Sequence, residues 1–312
     1  MAPKIGYLLP TRERVMEDRP DGIALIDLAR RAEDMGYDSI WIGDSLFDKP
    51  RHEPLTMLAG IAGGTKRISL GTAVLLPALR NPVLLAQQAA TVDQISAGRL
   101  ILGVGIGSGN PGAQAEFVAA GVPFEKRVGR LLESMQLCRA LWSGEPVDWD
   151  GRWQLTGATL GPKPHRVGGP PIWMGGTSSG SIQRAGKYFD GWFPDPADPA
   201  RFRDGWDQVR DIAAKADRDP AAITGAMYFT LLIDNDTAAA EARMGDFFTS
   251  YYPGRGEQIM KSRPWFAGTA AGAVDYLAAF ADAGVSHFAI RFTGDHENQL
   301  EALADIRRQL GW

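Results

Sequence analysis

Eight short apolar runs, kept apart by amphipathic helical stretches, constrain this chain more than any other feature. The runs fall at residues 5–9, 39–42, 69–75, 100–106, 172–174, 191–193, 228–233 and 287–292, and each leads to Gly, Pro, Asp, Thr or Ser. Helical patterns lie between them, at 23–35, 55–63, 83–96, 127–142, 181–188, 200–215, 237–249, 270–283 and 299–309. Strand–helix alternation calls for parallel strands joined by helical crossovers, and eight such units fit a closed (β/α)8 TIM barrel better than an open sheet. Local markers agree with the boundaries. Asn81 caps a helix that Pro82 opens, with Gly98 just past its end, and Gly36 and Gly284 stop helices ahead of the next strands.

Two stretches break the alternation. Residues 143–170, around Trp149 and Trp153, have no helical period; neither do residues 250–268, with Tyr251, Tyr252, Pro253, Gly254, Pro264 and Trp265. Both are expected to be irregular insertions at the C-terminal face of the barrel, where long segments wall or cover a site. No clean boundary divides the sequence, so residues 1–312 are expected to form a single domain.

Composition removes several function classes. A formal net charge of -4 over 312 residues argues against nonspecific nucleic-acid binding. The single cysteine, Cys138, excludes an internal disulfide and a Cys-cluster metal site, and its helical surroundings suit a buried thiol better than a nucleophile. No apolar run is long enough for a membrane span, and the first residues lack a signal-peptide pattern, so a cytoplasmic location is expected.

The chemistry-bearing signal is Pro170-Pro-Ile-Trp-Met-Gly-Gly-Thr-Ser-Ser-Gly180. It reads as a strand, two glycines and three hydroxyl residues opening a helix. Gly175 and Gly176 let backbone N–H groups approach an anion, Thr177, Ser178 and Ser179 add hydroxyl donors, and the helix dipole points the same way. A glycine turn followed by an ordinary Ser/Thr cap explains the same residues.

The run Gly107-Ser-Gly-Asn-Pro-Gly112 matches G-x-G-x-x-G after a strand, but no compact βαβ unit follows, so it is a decoy for dinucleotide binding. Gly107 and Ser108 remain a loop that could approach a cofactor at the barrel mouth. Asp44 directly follows the second strand, where barrel carboxylates face the site; helix capping or pairing with Arg51 is the plainer alternative. Arg51, His52 and Glu53 place a cation, a base and an acid in one loop. His165, His287 and His296 are isolated, and no spacing suggests a metal site. A phosphate seat without a metal, a P-loop lysine or an evident nucleophile points to a phosphate-bearing cofactor that carries the chemistry.

These motifs together resemble the bacterial luciferase-like superfamily of FMN- or F420-dependent oxidoreductases and monooxygenases. The resemblance covers most of the chain. It rests on Gly36-Tyr-Asp-Ser-Ile-Trp-Ile-Gly-Asp44, Thr65-Lys-Arg-Ile-Ser-Leu-Gly-Thr-Ala-Val74, Arg80-Asn-Pro-Val-Leu-Leu-Ala-Gln-Gln-Ala-Ala-Thr-Val-Asp93, Ser96-Ala-Gly-Arg-Leu-Ile-Leu-Gly-Val-Gly-Ile-Gly107, Pro170-Pro-Ile-Trp-Met-Gly-Gly176 and Asp190-Gly-Trp192. It implies that Gly175, Gly176 and Thr177 hold the cofactor phosphate. Asp44 would sit near the isoalloxazine ring, with Thr72, Ala73 and Val74 behind it. A non-prolyl cis peptide bond is implied at Ala73–Val74. Two departures stand out: Ser45 occupies the position of a histidine in many relatives, and a glutamate proton donor of some F420 enzymes would fall near Ser108, where there is none. His52, Glu53 and Asp44 are then the candidate acid/base groups.

The leading expectation is monooxygenation of a small organic substrate with reduced FMN. F420-dependent hydride transfer is the alternative, and a flavin-binding protein without turnover, suggested by Ser45, is a second. A separate flavin reductase or F420 reductase and a second copy of the chain, forming a homodimer, are the expected partners.

Overall fold

The computed structural model describes residues 2–312. Eleven strands occur among them: β1 (Lys4–Leu8), β2 (Ser39–Ile42), β3 (Ser69–Thr72), β4 (Leu100–Val104), β5 (Val147–Asp150), β6 (Gln154–Ala158), β7 (Ile172–Gly175), β8 (Gly191–Phe193), β9 (Thr224–Ile233), β10 (Trp265–Gly268) and β11 (His287–Phe292). The helices are α1 (Thr11–Met16), α2 (Gly22–Asp34), α3 (Pro54–Gly64), α4 (Pro82–Ile95), α5 (Pro111–Ala119), α6 (Arg127–Trp142), α7 (Ser179–Tyr188), α8 (Pro199–Lys215), α9 (Thr237–Tyr251), α10 (Gly256–Ser262), α11 (Ala270–Asp282) and α12 (His296–Leu310).

The main sheet runs β10-β9-β11-β1-β2-β3-β4-β7-β8, and β8 pairs back onto β9. The ring so closed contains eight strands, and the fold is a (β/α)8 barrel. All eight runs expected from the sequence are ring strands. β9 is long enough to serve two neighbours besides β11: its first residues pair with β8, while Thr230 to Ile233 pair with β10.

The segments expected to be irregular contain regular structure. Between α6 and β7 lies an antiparallel hairpin, β5 with β6, bulged between Val147 and Trp149. Within 250–268, α9 continues to Tyr251, and α10 and β10 follow.

The chain groups into two compact units: one of residues through Pro10, 31–41 and 173–312, the other of 11–30 and 42–172. In the first, Trp41, Trp173, Phe193 and His287 pack ring against ring, with centroids 4.9–6.0 Å apart. They come from β2, β7, β8 and β11, so they meet inside the ring. Ser39 Oγ ties them together, lying 2.7 Å from both His287 Nε2 and Trp41 Nε1. Burial lowers the His287 pKa to about 3, so the imidazole is neutral. Gly6 leaves room for this cluster, since a Cβ there would lie 2.1 Å from Ser39 Oγ.

In the second unit, α4 and α6 pack together: Trp142 donates to the Ala86 carbonyl at 2.9 Å, and the buried Cys138 sits over Pro82. Burial raises the Cys138 pKa, leaving the thiol protonated and unreactive. Arg99 gathers the turns around β3 and β4 through the carbonyls of Ala62, Thr65, Ile68 and Ser96. The expected caps are present: Asn81 accepts from Val83 and Leu84 N–H, and Gly36 and Gly284 take positive φ after their helices.

Candidate functional site

In the first unit, β7 ends at Gly175 and the chain turns through Gly176, with φ +103°, into Thr177 and the N-cap Ser178 of α7. A Cβ on Gly176 would lie 2.9 Å from Ser181 Oγ, so only glycine keeps this cradle open. Ser178 Oγ accepts from Ser181 N–H at 3.2 Å and lies 3.0 Å from Ser181 Oγ. Arg184 Nη2 donates to Ser181 Oγ at 3.3 Å, bringing a cation to the first turn of α7. Trp192 Nε1 holds the Gly176 carbonyl at 2.9 Å. Thr177, Ser178 and Ser179 are exposed, and the first N–H groups of α7 lie at this end of the helix. The donor set fits a phosphate group. A groove of about 340 Å³ begins at Thr177 and is lined further by Ile182, Trp192, Arg201 and Gln208.

In the second unit, Asp44 follows β2 with its side chain only 3% exposed. Its Oδ2 accepts from Leu76 N–H at 2.8 Å and Arg80 Nη1 at 2.5 Å, and its Oδ1 from Arg80 Nη2 at 3.0 Å. Its ionic partner is thus Arg80, a bidentate fork. Arg80 also reaches Glu53 Oε1 at 3.2 Å. Burial works against the Arg80 cation, but Asp44 and then Glu53 outweigh it and raise its pKa. Glu53 is the N-cap of α3, accepting from Thr56 N–H at 2.7 Å. Burial disfavours its carboxylate; the Thr56 hydrogen bond and Arg80 prevail and lower its pKa. Asp44 and Glu53 are therefore brought together through Arg80. His52 is directed elsewhere: Nε2 lies 3.2 Å from the Pro20 carbonyl, and Nδ1 is buried with no hydrogen-bond partner among the described residues.

Ser45 donates to Glu116 Oε1 at 2.6 Å, and the same oxygen accepts from Phe47 and Asp48 N–H at 2.7 and 2.9 Å. Glu116, 1% exposed, thus ties the loop after β2 to α5. Thr72 spends its hydroxyl on the Gly103 carbonyl at 2.7 Å. The Ala73–Val74 bond is cis, as the resemblance implied, and both residues are partly exposed. Gly107 has φ +80° with Phe117 close behind it, and Ser108 Oγ accepts from Asn110, the cap of α5. The G-x-G-x-x-G match is thus the entry turn of α5.

Reading the sequence assigned no role to Arg80, Glu116 or Arg184. Arg80 lies in the quoted Arg-Asn-Pro motif, and Arg184 sits three residues from Ser181; these spacings were the available signals. Glu116 gave none, because α5 was not anticipated.

The luciferase-like monooxygenase family model matches residues 3–312. The chain belongs to that family. It is 34% identical over 215 residues to a 5,10-methylenetetrahydromethanopterin reductase of Methanolobus tindarius, covering 69% of this chain and 63% of that one. It is 30% identical to an F420-dependent glucose-6-phosphate dehydrogenase of Intrasporangium calvum, covering 88% of this chain and 90% of the relative. Among solved structures, monooxygenase RslO1 of Streptomyces bottropensis superposes with a TM-score of 0.84 at 20% identity, covering 99% of this chain and 100% of that one, a likeness of fold. Membership of that family places the chain among oxidoreductases.

Proposed function

We propose that this protein is an F420-dependent oxidoreductase that moves a hydride to or from a small organic substrate. The observation that carries the reading is the anion seat at residues 175–178, where a glycine cradle, two serine hydroxyls and the start of α7 converge near Arg184. The groove beside Thr177 leaves room past a phosphate. F420 needs that room, because its phosphate is a diester with a further chain, whereas FMN ends at its phosphate. The Intrasporangium calvum relative, at 30% identity over most of both chains, is F420-dependent by name. Monooxygenation with reduced FMN, the leading expectation from the sequence, draws on a likeness of fold at 20% identity.

When bound, the deazaflavin supplies hydride exchange at its C5 carbon. The chain's own residues bind and position. Gly175, Gly176, Thr177 and Ser178 hold the phosphate, with Arg184 behind Ser181. Thr72 fixes the strand end through Gly103. Asp44 and Glu53, engaged by Arg80 and by the α3 cap, act as positioning residues. His52, held on the Pro20 carbonyl, is assigned to positioning its own loop.

The test is anaerobic incubation with F420 and a panel of alcohols, sugar phosphates and pterins. Substrate-dependent loss of the oxidised deazaflavin absorbance is expected. Substrate-dependent oxygen uptake with reduced FMN, and no reaction with F420, would sink the reading.

A further inference from the structure

The groove that begins at Thr177 extends well beyond the phosphate seat. It passes Ile182, Trp192 and Gly205 and reaches Gln208 on α8, and a second groove of about 290 Å³ starts from the same Gln208. The second is lined further by Gln183 and Lys187 of α7 and by Asp211, Ile212 and Lys215 of α8. The two grooves thus meet at Gln208 and form one trough along α7 and α8. Close helix packing underlies it. Gly186 lets the helices touch, since a Cβ there would lie 2.7 Å from the Val209 carbonyl oxygen and 2.8 Å from Ile212. Gly205 likewise lets the Trp192 ring lie against α8, where a Cβ would come within 2.3 Å of it.

The side chains along the trough stand in rows. On α8, Arg201, Asp204, Gln208, Asp211 and Lys215 are spaced three and four apart, which is one face of a helix; on α7, Gln183 and Lys187 are four apart. Near the seat, Arg201 is engaged by Asp198 at 3.3 Å and Asp204 stands beside it, so that half has no cation left over. The far half ends in two ammonium groups, Lys187 and Lys215, against one carboxylate, Asp211, which pairs with Lys215 at 2.5 Å. Lys187 is exposed and has no ion-pair partner among the described residues. It lies nine residues along α7 from the cap Ser178, about 13 Å at the helical rise.

We propose that this trough seats the acidic tail of the cofactor, with Gln208 midway and Lys187 and Lys215 pairing with tail carboxylates at its far end. The assignment deepens the F420 reading and rests on it. The chain beyond the F420 phosphate is built of glutamates, each with a free carboxylate. At about 3.5 Å or more per extended residue, a few of them cover the distance from Ser178 to Lys187. The trough meets such a chain with a path continuous from the phosphate seat and with opposite charge where the path ends. FMN, which ends at its phosphate, gains nothing from it.

Equilibrium fluorescence titration at low salt, with F420 carrying no glutamate and with F420 carrying a chain of several, tests it. The wild type is expected to bind the long-tailed form about tenfold more tightly, an advantage that about 0.5 M salt removes. Lys187→Gln should weaken long-tail binding about threefold, and Lys187→Gln combined with Lys215→Gln about tenfold. Asp211→Asn, which frees Lys215, should tighten it about threefold. Binding of the glutamate-free form should be the same in all these proteins, because the phosphate seat at residues 175–178 is untouched. The three side chains are exposed, so their replacement leaves the core intact. Equal affinity of the wild type for the two forms, or equal long-tail affinity in wild type and the lysine variants, would overturn the proposal and leave the cofactor reading standing. If neither form binds, the cofactor reading falls and the tail site falls with it.

Discussion

At the scale of single residues, the pairing of Asp44 with Arg80 decides how the loop after β2 is held. Both Asp44 oxygens are engaged, and the carboxylate is almost fully buried. Removing one partner of such a pair leaves an uncompensated charge, so Arg80→Ala should cost about 3–5 kcal/mol of stability, measured by urea unfolding. A loss below about 1 kcal/mol would show that water takes over the arginine's role. His287 gives a pH prediction with a definite sign. Its folded pKa is depressed to about 3 against an ordinary value of 6.5. The unfolded chain therefore binds the proton that the folded chain refuses. The stabilisation is complete above about pH 6.5 and is lost as pH falls toward 3, by up to about 1.4 kcal/mol per pH unit. Urea midpoints of wild type and His287→Gln should converge between pH 7 and pH 5. Parallel pH profiles would count against a buried neutral imidazole.

At the scale of elements, the sequence was legible wherever a run had one dominant period and a marked end. The eight ring strands follow apolar runs, and Asn81-Pro82, Gly36 and Gly284 mark helix ends by local chemistry. The β5–β6 hairpin was not legible, since its strands alternate weakly and carry a bulge at Val147/Trp149. α10 and β10 are seven and four residues long, too short to show a period beside Pro253, Gly254 and Pro264. The turn before α7 was legible because its glycines, hydroxyls and helix start are consecutive. Arg80 on Asp44 and Glu116 on Ser45 were not, because each pairs side chains 36 or more positions apart. For α7 itself, Ser178→Ala removes the cap on Ser181 N–H and should cost about 1 kcal/mol, read as a lowered unfolding midpoint. It should also weaken cofactor binding. A variant equally stable and equally competent in binding would mean that Ser178 is only surface.

At the scale of the whole molecule, eight parallel strands in one ring put every strand-to-helix loop at the same end of the barrel. The glycine cradle after β7 belongs to that end. Topology thus places candidate chemistry where family members with different cofactors can vary it without altering the ring. It also explains why likeness of fold leaves the cofactor open. The most direct measurement is an anaerobic fluorescence titration of F420 and of FMN into wild-type protein and Gly176→Ala. At Gly176 the backbone has φ +103°, and a Cβ would press on Ser181 Oγ. The account predicts one F420 per wild-type chain, bound at least about tenfold more tightly than FMN, and a loss of that binding in Gly176→Ala. FMN binding as tight as F420, or F420 binding unchanged in the alanine variant, would contradict it.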